Sequence, residues 1–404
     1  MDHDERDTAR GWLVVIAISV SGALSFGTAY TFGTFFDAMA EEFDAGRGST
    51  ALVFAITLLL FFGTGVVSGP LSDRVGPRRL VAVGGVLLVV GLLATSRVEQ
   101  LWLGYFTYGI GVGLGCGLFV TPLYATAGRW FVHRRALALG IVSAGNGIGT
   151  LTLVPLAERV ISDDGWRTAY VTLAVIDAVL LLFVLAVVRL PRAPTVAAAG
   201  PEPGFAERFA ELRPDPAFRT MFVVTLLASI SLFTAFAFVV PFAEDEGVSS
   251  SRAALLVGVI GASSVLGRIA IGGLAGRFGS VRLLQGALAV QPVAYLVWLV
   301  AGGRYPLLVL FAVLLGVSYG GFVSLGPEVT AHLLGVVGLG TTFGLVFLAT
   351  GLGGLVGPPL VGVLSDLSDG RGVPIAAVIV VTIAALATSL RLRRDPAPAV
   401  VMGS

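Results

Sequence analysis

Gly69-Pro70-Leu71-Ser72-Asp73-Arg74-Val75-Gly76-Pro77-Arg78-Arg79 lies between two long apolar runs. A near copy returns 203 residues later as Gly272-Gly273-Leu274-Ala275-Gly276-Arg277-Phe278-Gly279, in a chain of 404 residues. A basic turn repeated between hydrophobic helices, about half a chain apart, is what two similar membrane bundles in tandem produce. Of the differences between the copies, one alters charge: the first has Asp73 where the second has Gly276.

The flanking runs are long enough to span a bilayer, which takes roughly 20 apolar residues per helix. Twelve spans are predicted, near 12–36, 50–70, 80–96, 102–128, 136–157, 168–188, 218–241, 253–275, 283–301, 306–330, 340–364 and 373–391. The expected fold is an all-α membrane protein of twelve transmembrane helices in two six-helix, pseudo-symmetric halves. The expected domains are residues 1–188 and 218–404, joined by a cytoplasmic linker at 189–217 that carries Pro191, Pro194, Pro201, Pro203, Pro214 and Pro216. Within the linker, Phe205, Phe209 and Leu212 recur at helical spacing among charged residues, as in a short helix on the membrane surface.

Composition agrees. The chain is 56% hydrophobic and 13% charged, more apolar surface than a soluble protein of this length can bury. Its net charge of +1 offers nothing to nucleic acid. All 26 basic residues are arginine, which reads as a compositional bias. Without lysine there is no phosphate-binding loop of the usual kind. Cys116 stands alone, so no internal disulfide forms, and His3, His133 and His332 are too scattered for a metal cluster. No cofactor is expected, nor an enzyme, since no nucleophile, base or metal set converges. The polar residues 1–11 lead into an apolar run of about 25 residues with no cleavage site, a retained first span rather than a signal peptide.

Arginine placement predicts orientation. With both termini inside, 18 arginines fall in the termini, the inner loops and the inner ends of spans 7 and 12 (Arg219, Arg391), 7 in the outer loops, and Arg268 falls deep within a span. The outer loops are acidic, with Asp37, Glu41, Glu42 and Asp44, then Glu244, Asp245 and Glu246. The expectation is a multi-pass protein of the cytoplasmic membrane, a monomer among lipids.

The loop at Gly69, Asp73, Arg74, Gly76 and Arg78 resembles the signature between spans 2 and 3 of the major facilitator superfamily. The resemblance implies a conformational latch on the inside, weaker in the second half where Gly276 stands. A narrower resemblance rests on Tyr30-Thr-Phe-Gly-Thr-Phe-Phe36, Arg129-Trp130-Phe131 with Arg134-Arg135, Leu137-Ala138, Gly140, Gly145-Asn146-Gly147 and Gly149, then Gly165-Trp166-Arg167, and Gly357-Pro358-Pro359-Leu360-Val361-Gly362 followed by Asp366. In order and spacing these are similar to the monocarboxylate transporter and oxalate/formate antiporter group. That implies transport of small organic anions, and a substrate-binding arginine in span 8.

Arg268 fits that place. It lies four residues, about 6 Å, past the middle of span 8. An uncompensated charge there costs from about 3 to over 10 kcal/mol, and arginine stays charged at any relevant pH. Its guanidinium grips a carboxylate through two parallel hydrogen bonds. The alternative is pairing with backbone carbonyls or a buried acid. Asn146, Tyr319 and Phe119 lie at similar depth on spans 5, 10 and 4 and are candidate substrate contacts, each weighed against ordinary packing. Tyr30 sits higher, in an outer gate, and Phe343 and Phe347 wall the cavity or belong to the core. Animal relatives of the resemblance carry a lysine in span 1 and an aspartate one turn before the span 8 arginine; here the latter is Ser264. Asp177, mid-span in span 6, is therefore a candidate proton site, against a purely structural role. The glycines of spans 4 and 11 suggest sliding contacts between the halves, or tight packing.

The functional expectation is a secondary carrier for a monocarboxylate such as lactate, pyruvate or formate, or for oxalate, working by alternating access with or without protons. The alternatives are an efflux carrier for hydrophobic compounds and a non-transporting sensor on the same fold.

Overall fold

The computed structural model describes residues 8–131, 135–190, 205–335, 339–368 and 371–392. Those residues are helical, without strands, and twelve helices are long and apolar enough to cross a membrane. They are span 1 (Ala9–Glu42), span 2 (Arg47–Val75), span 3 (Pro77–Thr95), span 4 (101–130), span 5 (Arg135–Asp164), span 6 (Trp166–Val187), span 7 (Pro216–Asp245), span 8 (Ser250–Phe278), span 9 (Ser280–Ala301), span 10 (Tyr305–Leu334), span 11 (Leu339–Leu367) and span 12 (Gly372–Ser389). Spans 1–6 and 7–12 form the two halves, which meet chiefly where span 2 packs on span 11 and span 5 on span 8.

The repeated loops are the same turn twice. Span 2 ends at Gly76 (φ +85°) and span 8 at Gly279 (φ +83°), each with its amide donating to a carbonyl four residues back. Only glycine enters that region without strain, so the spacing of the repeat is set by two helix stops. Pro77 follows at the first position of span 3.

The helices run longer than the apolar runs, and span 1 is broken at Thr31 into Ala9–Tyr30 and Phe32–Glu42. There the Thr31 amide is shared between the carbonyls of Gly27 and Thr28. The Tyr108 hydroxyl donates to Thr28 O (2.9 Å), which satisfies the loosened turn from span 4.

The halves are joined at the end bearing the acidic loops. Asp366, at the end of span 11, accepts the backbone amides of Arg47 (3.0 Å) and Gly48 (3.1 Å) at the start of span 2. A carboxylate of one half thus caps a helix of the other, where the helix dipole favours negative charge. Arg47 pairs with Asp245 (2.6 Å), which also pairs with Arg371 (2.6 Å). Below this layer lie rings from both halves: Phe36 with Phe238 (5.1 Å between centroids), Tyr30 with Phe236 (4.2 Å) and Phe62 with Phe233 (5.5 Å). At the arginine-rich end, Gly140 of span 5 and Gly273 of span 8 are exposed, and a Cβ on either meets no atom within 4 Å.

The Gly165-Trp166-Arg167 motif ties three loops of the first half together. Gly165 takes φ +84°, Trp166 Nε1 and Arg167 Nη1 donate to Glu42 (2.6 and 2.5 Å), and Arg167 Nη2 donates to Val98 O (2.9 Å). In the linker a helix forms at Phe205–Leu212. Leu212 and Arg208 are buried, Arg208 Nε donating to Thr342 Oγ1 of span 11 (2.9 Å), while Phe205 and Phe209 are about 40% exposed. The remaining linker prolines before Phe205 lie outside the described residues.

Candidate functional site

Close backbone packing sets the position of Arg268. Gly316 and Gly320 of span 10 lie against the carbonyls of Ile260 and Ser264 of span 8, and Gly267 lies against Val317. With no side chains between them, the two helices approach closely. The ring of Tyr319 thereby stands beside the guanidinium, 5.6 Å from Arg268 Cζ to the ring centroid. A cation at that separation is within reach of the ring's attraction.

Span 5 approaches from the other half. Gly145 and Gly149 lie on the backbone of span 1 at Ser19 and Ala23, and Gly147 lies on span 8 at Gly261. Ser143 then reaches Arg268: Nη1 donates to the Ser143 carbonyl (2.7 Å) and to the Ser143 hydroxyl. The Tyr124 hydroxyl donates to Asn146 Oδ1 (3.1 Å), and Asn146 is buried against Gly22 of span 1. Tyr30, Tyr319, Tyr124 and Arg268 lie within electrostatic reach of one another.

Arg268 is half-buried and forms no ion pair among the described residues. Its Nε is buried with no hydrogen-bond partner, and Nη2 makes no hydrogen bond among the described residues. The Tyr30 hydroxyl nearby is likewise buried and unpartnered. One edge of the guanidinium, Nε with Nη2, is thus a free two-pronged donor. An unmade bond of this kind is costly in a buried setting unless something else supplies the acceptor.

Of the residues expected at the site, the structure brings together Arg268, Asn146, Tyr319 and Tyr30. Phe119 is elsewhere. It lies one turn after Gly115 on the face of span 4 that packs on span 3, fully buried against Gly84. It is part of the core of the first half, because residues four apart share a helix face. Asp177 is also inside that half, behind span 1: its carboxylate accepts from Thr28 Oγ1 (3.0 and 3.3 Å), and Thr28 lies on the opposite face of span 1 from Tyr30. Of the loop residues, Gly69 lies near Thr121, Gly76 makes the turn, and Arg74 and Arg78 are exposed. The side chains of Asp73 and Phe343 lie outside the described residues. Phe347 packs on Phe62 (5.8 Å) across the halves.

Sequence reasoning missed Ser143 and Tyr124. The available signal was spacing: Ser143 is three residues before Asn146, hence on a neighbouring face position.

Comparison with known proteins agrees with this architecture. The model of the Major Facilitator Superfamily matches residues 18–305. Monocarboxylate transporter 11 of Homo sapiens is 34% identical over 374 residues, covering 89% of this chain and 78% of that protein. Monocarboxylate transporter 3 of Rattus norvegicus is 32% identical over 373 residues, covering 89% and 75%. Among solved structures, a bacterial homolog of the human lysosomal transporter Spinster, inward-facing and unoccupied, superposes with TM-score 0.76 at 16% identity, covering 97% of this chain and 100% of that one. The nucleoside transporter NupG, as a single-residue variant, gives 0.78 at 13% identity, covering 95% and 100%. The chain belongs to the Major Facilitator Superfamily and is a transporter, not an enzyme, related to the monocarboxylate transporters.

Proposed function

We propose that this protein is a secondary carrier of small organic anions, a monocarboxylate such as lactate, pyruvate or formate, or oxalate, that binds its substrate carboxylate on Arg268. The observation that carries the reading is the Nε–Nη2 edge of that guanidinium, half-buried between the halves and with neither an acceptor nor a paired acid among the described residues. A carboxylate supplies two acceptors in the matching geometry and cancels the charge. Tyr319 and Tyr30 stand beside it as hydroxyl donors, and Asn146 with Tyr124 forms the adjoining polar wall. The linker and both termini are taken as cytoplasmic, with the acidic loops outside, so the closed end faces out. Loading neutralises Arg268, and the halves then rock about the site. The names of the relatives support the substrate class.

Counterflow of labelled formate, lactate, pyruvate and oxalate into proteoliposomes tests this. Arg268→Ala is expected to lower uptake at least 100-fold at equal insertion. Arg268→Lys is expected to remain well below the parent, since a point charge cannot fork a carboxylate. Parent-level transport by Arg268→Ala removes the anchor. Inhibition by unrelated hydrophobic compounds in that variant indicates an efflux carrier instead. Internal pH recorded during uptake separates proton symport from exchange.

A further inference from the structure

We infer that Ser143 is a positioning residue for the anion site: from span 5 of one half it holds one nitrogen of the Arg268 guanidinium on span 8 of the other, and so aims the free edge of that group at the substrate. The inference rests on Arg268 being the substrate anchor.

An arginine side chain is long and rotamer-rich, and its five N–H donors form a rigid planar fork. Two bonds from Nη1, to the carbonyl and hydroxyl of the same serine, fix one corner of the plane. The Tyr319 ring stands beside the group at 5.6 Å. With that corner held, the opposite edge, Nε and Nη2, is the one left without an acceptor among the described residues. Left unheld, the guanidinium would have to be ordered by the substrate itself, and that ordering would be taken from the binding energy. Ser143 therefore contributes to affinity while touching no substrate atom.

The placement has a second consequence. Contacts between spans 5 and 8 run from Leu151 with Gly258, through Thr150 and Gly147 with Gly261, to Val265 with Gly147. Ser143 with Arg268 comes next along both helices, and beyond it Gly140 and Gly273 face open space. The anchor of one half is thus steadied by the other half, at the end of this run of contacts. The carbonyl contact belongs to the backbone and survives any substitution, whereas the hydroxyl contact is specific to the side chain.

Initial rates of formate and pyruvate uptake in proteoliposomes, at equal insertion, test the assignment on Ser143→Ala, Ser143→Thr and Ser143→Val. Thr and Val have nearly the same shape, and only Thr keeps the hydroxyl. Ser143→Ala is expected to raise KM about 3- to 10-fold with Vmax unchanged, because an interaction made equally in the bound and crossing states is lost. Ser143→Thr is expected to return KM toward the parent value, and Ser143→Val is not. A purely structural role predicts lower yield or Vmax at constant KM, with Thr and Val alike; that result, or a parent KM in Ser143→Ala, overturns the assignment. The anchor is judged separately: Arg268→Ala with parent transport sinks the reading of Arg268. Loss of transport in Arg268→Ala beside an unchanged Ser143→Ala sinks Ser143 alone.

Discussion

Arg268 and Asp177 are both ionisable residues in apolar helices, and the chain treats them differently. Arg268 stands between the halves with an unfilled donor edge. Asp177 is enclosed within one half, and both its oxygens face a single donor, the Thr28 hydroxyl. Charge in an apolar run was enough to single out both residues. What each side chain faces was not legible, because an apolar helix carries no mark of which neighbour covers which side. Tyr124 was unreadable for a related reason, and Ser143 was marked only by its spacing from Asn146: serine and tyrosine are ordinary in such helices until a partner is known. The enclosed geometry leads to a prediction for Asp177. Asp177→Asn keeps an acceptor for Thr28 and is expected to leave the KM for substrate within about twofold. Asp177→Leu strands the Thr28 hydroxyl and is expected to destabilise the fold by about 1–3 kcal/mol, read as a lower Tm in detergent with KM preserved. A large change of KM in Asp177→Asn would place the acid in the transport cycle.

The helices show why glycine content alone did not reveal which contacts slide. In span 4, Gly109, Gly113 and Gly117 lie against span 2, and Gly111 and Gly115 against span 3, all within the first half. Those are tight packing contacts, not sliding ones. In span 11, Gly351, Gly354 and Gly362 face span 2 of the other half, whereas Gly353 and Gly357 face span 7. One helix therefore serves both purposes on different faces, and spacing by three or four tells the faces apart only once a neighbour is known. The same logic gives a prediction for the pair of spans 8 and 10. A Cβ at Gly320 would run into the Ser264 carbonyl and lie 2.9 Å from the Arg268 amide nitrogen. Backbone cannot move aside cheaply, so Gly320→Ala is expected to cost about 1–3 kcal/mol by overpacking. It should also shift Tyr319 away from Arg268. A lowered Tm together with a raised KM in the uptake assay is the expected result; an unchanged Tm would show that the helices yield.

At the scale of the molecule, the acidic-loop end is closed by the Asp366 cap on span 2, the Arg47–Asp245–Arg371 pairs and the rings beneath them. Alternating access requires that closure to open in each cycle. A Cβ built on Gly48 lies 2.6 Å from Val363 Cγ2. The pair Gly48→Cys with Val363→Cys is therefore expected to oxidise to a disulfide that holds this end shut and abolishes uptake, with reduction restoring it. Continued transport by the fully cross-linked carrier would show that this end stays closed throughout the cycle. Hydrophobic run length, the loop repeated at Gly76 and Gly279, and the arginine at 268 were legible in the chain itself. They depend on local physics: the thickness of a bilayer, the φ that only glycine tolerates, and the cost of a charge in hydrocarbon. The sequence by itself therefore determined twelve helices in two halves and two intramembrane ionisable residues, Arg268 and Asp177. Only the tertiary structure decided the break at Thr31, the burial of Phe119 on span 3, the cap of one half by Asp366 of the other, and the grip of Ser143 on Arg268. Each of these joins residues distant in the chain, and which faces of two helices meet is settled by how all the helices pack at once.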